Sequence, residues 1–144
     1  MIWLLRHGDA EQGSPDAERP LTEKGRRQAR SAGAALKELG VQLDACLTSP
    51  KKRAVDTAAL VCELLNVEPQ VEPSLAGGRF DPIGLAAGMG DEVLLVGHEP
   101  DFSNVVRDLS GGDVDIKKGG LVAIDGGELR VLMRPAELKR IARS

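Results

Sequence analysis

The chain is 144 residues long, with 42% hydrophobic and 28% charged side chains, a size and mixture that fit a single domain, residues 1–144, and exclude a multidomain assembly. Nineteen basic and twenty-two acidic residues leave a net charge of −3, and three aromatic residues, Trp3, Phe80 and Phe102, are too few to stack on bases, so nucleic acid is not an expected partner. No apolar run approaches the roughly 18 residues of a membrane span, and the charge at Arg6 comes too early for the apolar segment of a secretory signal, so the expected location is the cytoplasm, away from membranes.

Residues 2–5 form a short apolar run of the kind buried on both faces in a parallel sheet. After Thr22, an N-cap, Ala29, Ala32, Gly33 and Leu36 recur at helical spacing until Gly40 supplies a stop. Residues 45–48 are a weaker strand. Pro50 suits the first position of a second helix, whose apolar face is Ala54, Ala58, Val61, Cys62 and Leu65. Residues 66–91 are rich in Pro and Gly and poor in periodicity; they predict a strand at Gln70 and Val71 and a short helix over 83–87. A continuous apolar run follows at 93–96, then a helix over 101–109. Two strands over 121–124 and 129–133 flank the turn Asp125-Gly126-Gly127, and a helix over 136–142 ends the chain. This order predicts an α/β domain with a mainly parallel sheet and an antiparallel hairpin at or near one edge. Cys46 and Cys62 fall on elements that read as buried, without redox or zinc spacing, which fits inert thiols in a reducing compartment.

In an open α/β sheet, ligands bind beyond the carboxyl ends of the parallel strands. There the sequence places Arg6-His7-Gly8, Ser49-Pro50-Lys51-Lys52-Arg53 and Gly97-His98-Glu99-Pro100. Both histidines of the chain and two arginines, Arg6 and Arg53, converge on this rim. They meet the start of the second helix, whose free N–H groups and dipole favour an anion. Phosphate is the ligand such a rim predicts. Taken singly, each residue has a plainer reading: a histidine at a strand end is usually a turn or surface residue, and Lys51, Lys52 and Arg53 read as a solvated helix face. Gly8 lets backbone approach a ligand closely. Zinc on His7 and His98 with Asp9 or Glu99 ranks below the anion, because two arginines repel a cation and a third His or a Cys pair is missing. No Gly-x-x-x-x-Gly-Lys phosphate loop occurs, so nucleotide binding has no motif support.

The ordered set Leu5-Arg6-His7-Gly8, Arg19-Pro20-Leu21-Thr22-x-x-Gly25, Ser49-Pro50-x-x-Arg53-Ala54-x-x-Thr57-Ala58 and Val96-Gly97-His98 resembles the histidine phosphatase superfamily, the phosphoglycerate mutase-like fold. The Arg6-His7-Gly8-Asp9-Ala10 opening and the His98-Glu99-Pro100 segment are most similar to the small SixA-type phosphohistidine phosphatases. The resemblance implies a three-layer αβα sandwich and a metal-independent, monomeric enzyme without cofactors. Its implied substrate is a phosphorylated protein of the histidine phosphotransfer type. The resemblance assigns the nucleophile to His7 and the phosphate pocket to Arg6, Arg53 and His98, with Gly8 beside them and Arg19 as an additional phosphate or substrate contact. To attack, His7 must be neutral, which neighbouring cations favour and a carbonyl accepting its other N–H would fix.

Many larger members draw a proton donor from a long insertion that this chain lacks; Glu72, Asp81 and Glu99 are the candidate replacements. Phosphohistidine asks less of an acid than a phosphate ester does, since imidazole leaves neutral once its other nitrogen is protonated. Missing insertions also imply a shallow pocket able to reach a side chain on a folded protein. A small-molecule phosphomonoesterase or phosphosugar enzyme on the same fold, and a non-catalytic phosphate-binding module, are the alternatives.

Overall fold

The computed structural model describes residues 1–143. Six strands make one sheet: β1 (Ile2–Arg6), β2 (Ala45–Thr48), β3 (Pro69–Val71), β4 (Val93–Gly97), β5 (Leu121–Asp125) and β6 (Glu128–Met133), in spatial order β3-β2-β4-β1-β5-β6. The first four are mutually parallel, and β5 and β6 are antiparallel additions. The hairpin therefore lies at one edge. Its two turn residues, Gly126 and Gly127, have φ of 56° and 86°, the left-handed region that a two-residue turn needs to match strand twist.

Alternation along the buried strands divides the core in two. Trp3, Leu5, Cys46, Leu94 and Val96 pack on the side of α1 (Glu23–Glu38), α2 (Lys52–Leu65) and α5 (Pro135–Ala142). Leu4, Leu47, Val93 and Leu95 pack on the side of α4 (Asp101–Ser110) and the short α3 (Pro82–Ala86). The result is the expected three-layer αβα sandwich. Thr22 caps α1 by accepting the Gly25 N–H at 3.0 Å, and Gly33 lets α2 approach so closely that a Cβ would meet Val61 and Leu64. One helix start differs from the sequence reading. Pro50 is not the first residue of α2, which begins at Lys52 after an N-cap at Lys51; Ser49 Oγ accepts the Lys51 N–H at 3.2 Å, so a side-chain turn intervenes. Cys46 and Cys62 are free and buried. Among the described residues, no helix is long and apolar enough to cross a membrane.

Register positions the functional rim. β1 and β4 pair Arg6 with Gly97, so the next residue of each strand, His7 and His98, emerges beside the other. β2 pairs Thr48 with Val96, which brings Ser49 into the same row.

Candidate active site

The rings of His7 and His98 stand 5.2 Å apart between centroids, and both residues are buried, 7% and 6% exposed. His7 Nδ1 lies 2.7 Å from the Gly8 carbonyl; donating there leaves Nε2 as the unprotonated nitrogen. Burial lowers the His7 pKa to about 4; the Gly8 bond opposes this, and Arg53, Arg6 and Lys118 add to it. The His98 pKa is lowered to about 3, again by burial first and then by His7, Arg53 and Lys51. Both imidazoles are therefore neutral at pH 7. Ser49 Oγ lies 2.7 Å from His98 Nε2.

Close packing holds this arrangement in place. A Cβ at Gly8 would lie 2.5 Å from the Gly25 carbonyl oxygen, so glycine is required there. The Gly8 N–H donates to Thr57 Oγ1 (3.1 Å), which itself donates to the Arg53 carbonyl (2.7 Å). This buried bridge ties the loop after β1 to the first turns of α2, and so sets His7 and Arg53 relative to each other. A cavity of about 600 Å³ opens above them, lined by Arg6, His7, Arg19, Arg53 and His98 together with Lys51 and Lys118. All five of those side chains picked from sequence thus share one cavity. Arg6 Nη1 donates to the Ile116 carbonyl at 2.8 Å, while Arg6 Nε is buried and finds no acceptor among the described residues, a donor that an oxyanion would satisfy.

Asp16, on a single 3₁₀ turn (Asp16–Glu18), was not legible as a site residue. Its two carboxylate oxygens accept from Arg19 Nη1 at 2.9 Å and Arg53 Nη2 at 3.2 Å, and its carbonyl accepts from Arg53 Nη1 at 2.9 Å. Lys51 Nζ is 3.7 Å from the same carboxylate. The bonds from Arg19 and then Arg53 hold the Asp16 carboxyl at about 2. Two guanidinium groups of the cavity thus already bind a pair of oxygens. The one sequence signal was an acidic residue three positions before Arg19 in a polar loop.

Lys51 and Lys52 part company. Lys52 pairs with Asp56 at 3.2 Å on the outer face of α2, as a solvated residue would, whereas Lys51 lines the cavity. Lys118, also missed from sequence, lines it too and sits 3.5 Å from Asp9. Of the candidate acids, Glu72 accepts the Ser74 N–H and hydroxyl (3.0 and 2.9 Å) and Asp81 is the N-cap of α3; the cavity lining includes neither. Glu99 does line the cavity, with its carboxylate bound to the N–H and hydroxyl of Ser103. Asp101 is a further lining carboxylate and accepts the Gly78 N–H at 3.2 Å. Among the described residues, no group of three or more His, Cys, Asp or Glu is arranged to hold a metal ion.

Residues 2–82 match the family model of the histidine phosphatase superfamily (branch 1). An uncharacterized protein of Picosynechococcus sp. is 30% identical over 90% of this chain and 87% of its own length. The mitochondrial serine/threonine-protein phosphatase Pgam5 of Drosophila ananassae is 39% identical over 48% of this chain, a stretch that spans 24% of that protein. Among solved structures, the protein histidine phosphatase SixA complexed with tungstate superposes with a TM-score of 0.80 at 28% identity, covering 96% of this chain and 99% of that one. A putative α-ribazole-5′-P phosphatase from Escherichia coli K-12 superposes with a TM-score of 0.72 at 21% identity, covering 93% of this chain and 96% of that one, a likeness of fold.

Proposed function

This chain belongs to the histidine phosphatase superfamily (branch 1), and we propose that it hydrolyses phosphohistidine on a protein through a phosphohistidine intermediate at His7. The observation that carries this reading is the His7 ring itself, held neutral by burial, with its Nδ1–H on Gly8 and Nε2 left free, in a cavity it shares with Arg6, Arg53 and His98. In the first step Nε2 attacks phosphorus; a P–N bond forms on His7 as the P–N bond of the substrate breaks, and the substrate imidazole leaves with the electron pair. Arg6, Arg53 and His98 donate to the oxygens of the transferring group as their charge spreads, the forked guanidinium of Arg53 in the manner it already uses for Asp16. Phosphorylated His7 keeps its Nδ1 proton on the Gly8 carbonyl and so carries positive charge. That charge makes it a good leaving group when water attacks phosphorus and releases phosphate. Side-chain cations neutralise the oxyanions throughout, and the reaction as proposed uses no metal.

The carboxylates support a nitrogen-bound phosphoryl group over an ester. Glu99 and Asp101, which line the cavity, already accept hydrogen bonds, Glu72 is bound to Ser74, and Asp81 lies outside the cavity lining. An alkoxide leaves badly without an acid, whereas imidazole does not need one of the same strength. Likeness to SixA over nearly the whole chain supports the same choice. The test is incubation with a histidine-phosphorylated phosphotransfer protein. Phosphate release should fall on the order of 10⁴-fold or more in His7→Ala, and the wild-type enzyme should yield an acid-labile, base-stable phosphoryl group on His7. Equal activity in the variant would sink the assignment. A panel that includes α-ribazole-5′-phosphate and a phosphoserine peptide decides the substrate: a higher kcat/KM on either ester replaces this reading with an ester phosphatase.

A further inference from the structure

A second concentration of positive charge lies outside the active site. Lys24, Arg27 and Arg30 of α1, Lys139 of α5 and Arg143 just after it line a groove of about 650 Å³ between the two helices, and among the described residues no carboxylate lines it. Two acids on these helices stand outside the lining. Glu23 binds Arg26 with one carboxylate oxygen (2.7 Å) and holds the other in long ion pairs with Arg27 and Arg30 (3.8 and 3.9 Å), so it offsets those two arginines only in part. Glu137 is bound to Arg134 at 2.7 Å. The Arg27 and Arg30 side chains remain 65% and 53% exposed. In a chain of net charge −3, such a cluster is a local field of the opposite sign, able to attract and orient an acidic partner. Among the described residues no aromatic side chain lines the groove, so it offers nothing on which a base could stack.

The groove begins beside the catalytic rim. Gly25, in the first turn of α1, packs against the backbone of Gly8 and Asp9. Gln28, which lines the groove, accepts the Asp9 N–H at 2.8 Å. A folded protein that presents a side chain to His7 therefore lays part of its surface near this groove, which a small molecule in the cavity does not touch. We propose that the groove between α1 and α5 docks an acidic segment of the phosphoprotein substrate while its phosphohistidine occupies the cavity. The proposal rests on the protein-substrate reading above.

The test compares two substrates, a histidine-phosphorylated phosphotransfer protein of net negative charge and free phosphohistidine, across three enzymes: wild type, the double variant Lys24→Glu/Arg27→Glu, and the double variant Lys139→Glu/Arg143→Glu. Each double variant should raise KM for the protein about tenfold with kcat unchanged, and flatten the rise of that KM with salt. KM for free phosphohistidine should stay at the wild-type value. Should either reversal prevent folding, judged by circular dichroism, the matching glutamine variants carry the same test with a smaller shift. An unchanged KM for the protein overturns the docking site alone, and so does an equal rise for both substrates, which would be a field effect on the cavity. A wild-type enzyme that turns over free phosphohistidine but not the phosphoprotein rejects the protein-substrate reading, and the docking site with it.

Discussion

The cavity and the α1–α5 groove both gather positive charge in an acidic chain, and they do so in opposite ways. In the cavity the cations are held: the Arg53 side chain is 8% exposed, its two terminal nitrogens are committed to Asp16, and Arg6 is anchored on the Ile116 carbonyl. In the groove Arg27 and Arg30 are more than half exposed, and their ion pairs with Glu23 lie near 4 Å. A buried guanidinium keeps its field and its geometry, so it can bind a transferring phosphoryl group in one orientation. Exposed cations are screened over about 8 Å at physiological ionic strength, and each pair contributes about 1 kcal/mol or less. They act as a group, on encounter and affinity rather than on chemistry. Burial, more than the number of charges, separates the two regions.

The largest effect expected from that difference is at Arg53. Arg53→Lys keeps the charge but removes the fork that spans two oxygens, and should lower kcat by about 10²- to 10³-fold in phosphate-release kinetics. A loss as small as that of a groove lysine would erase the distinction between the regions.

Burial also sets a pH window. The His7 pKa falls from 6.5 to about 4 on folding, so between those values the unfolded chain binds a proton that the folded chain refuses. Stability is unaffected by His7 above pH 6.5 and declines as pH falls from there towards 4, by an amount on the order of 3 kcal/mol. His98, lowered to about 3 for the same first reason, acts in the same direction. Urea unfolding midpoints at pH 7, 5.5 and 4.5, compared with His7→Gln, should show a wild-type decline that the variant reduces. The His7 ring resonances should titrate near pH 4; a midpoint near 6.5 would mean that the ring is solvated and the contrast with the groove is false.

A smaller effect is expected at Asp16, the carboxylate shared by Arg19 and Arg53. Asp16→Asn removes the charge that orients both guanidinium groups and should raise KM about tenfold with a lesser change in kcat. Tighter inhibition by inorganic phosphate in this variant would instead make Asp16 a competitor for the cavity. Smallest of all is the groove, where salt alone should reproduce part of the charge-reversal effect on the proposed protein substrate.

Much of this architecture is local information. Apolar runs at residues 2–5, 45–48 and 93–96, the Thr22 cap, and the Gly126-Gly127 turn each report a strand, helix or hairpin from neighbours a few residues away. Because ligands bind where parallel strands end, the same runs point to Arg6, His7, Arg53 and His98. Even the engagement of Glu99 was within local reach, since its bonds to Ser103 span four residues at the start of α4. What the linear order determined, then, was the kind of fold and the residues at its rim. Tertiary structure decided how those residues are wired: Asp16 meets Arg53 across 37 positions, Lys118 meets Asp9 across 109, and Lys51 turns inward while Lys52 turns out. The groove likewise exists only because α1 and α5, at opposite ends of the chain, pack side by side. Periodicity and capping depend on spacing along the chain, whereas charge partners and burial depend on the path by which distant segments are brought together.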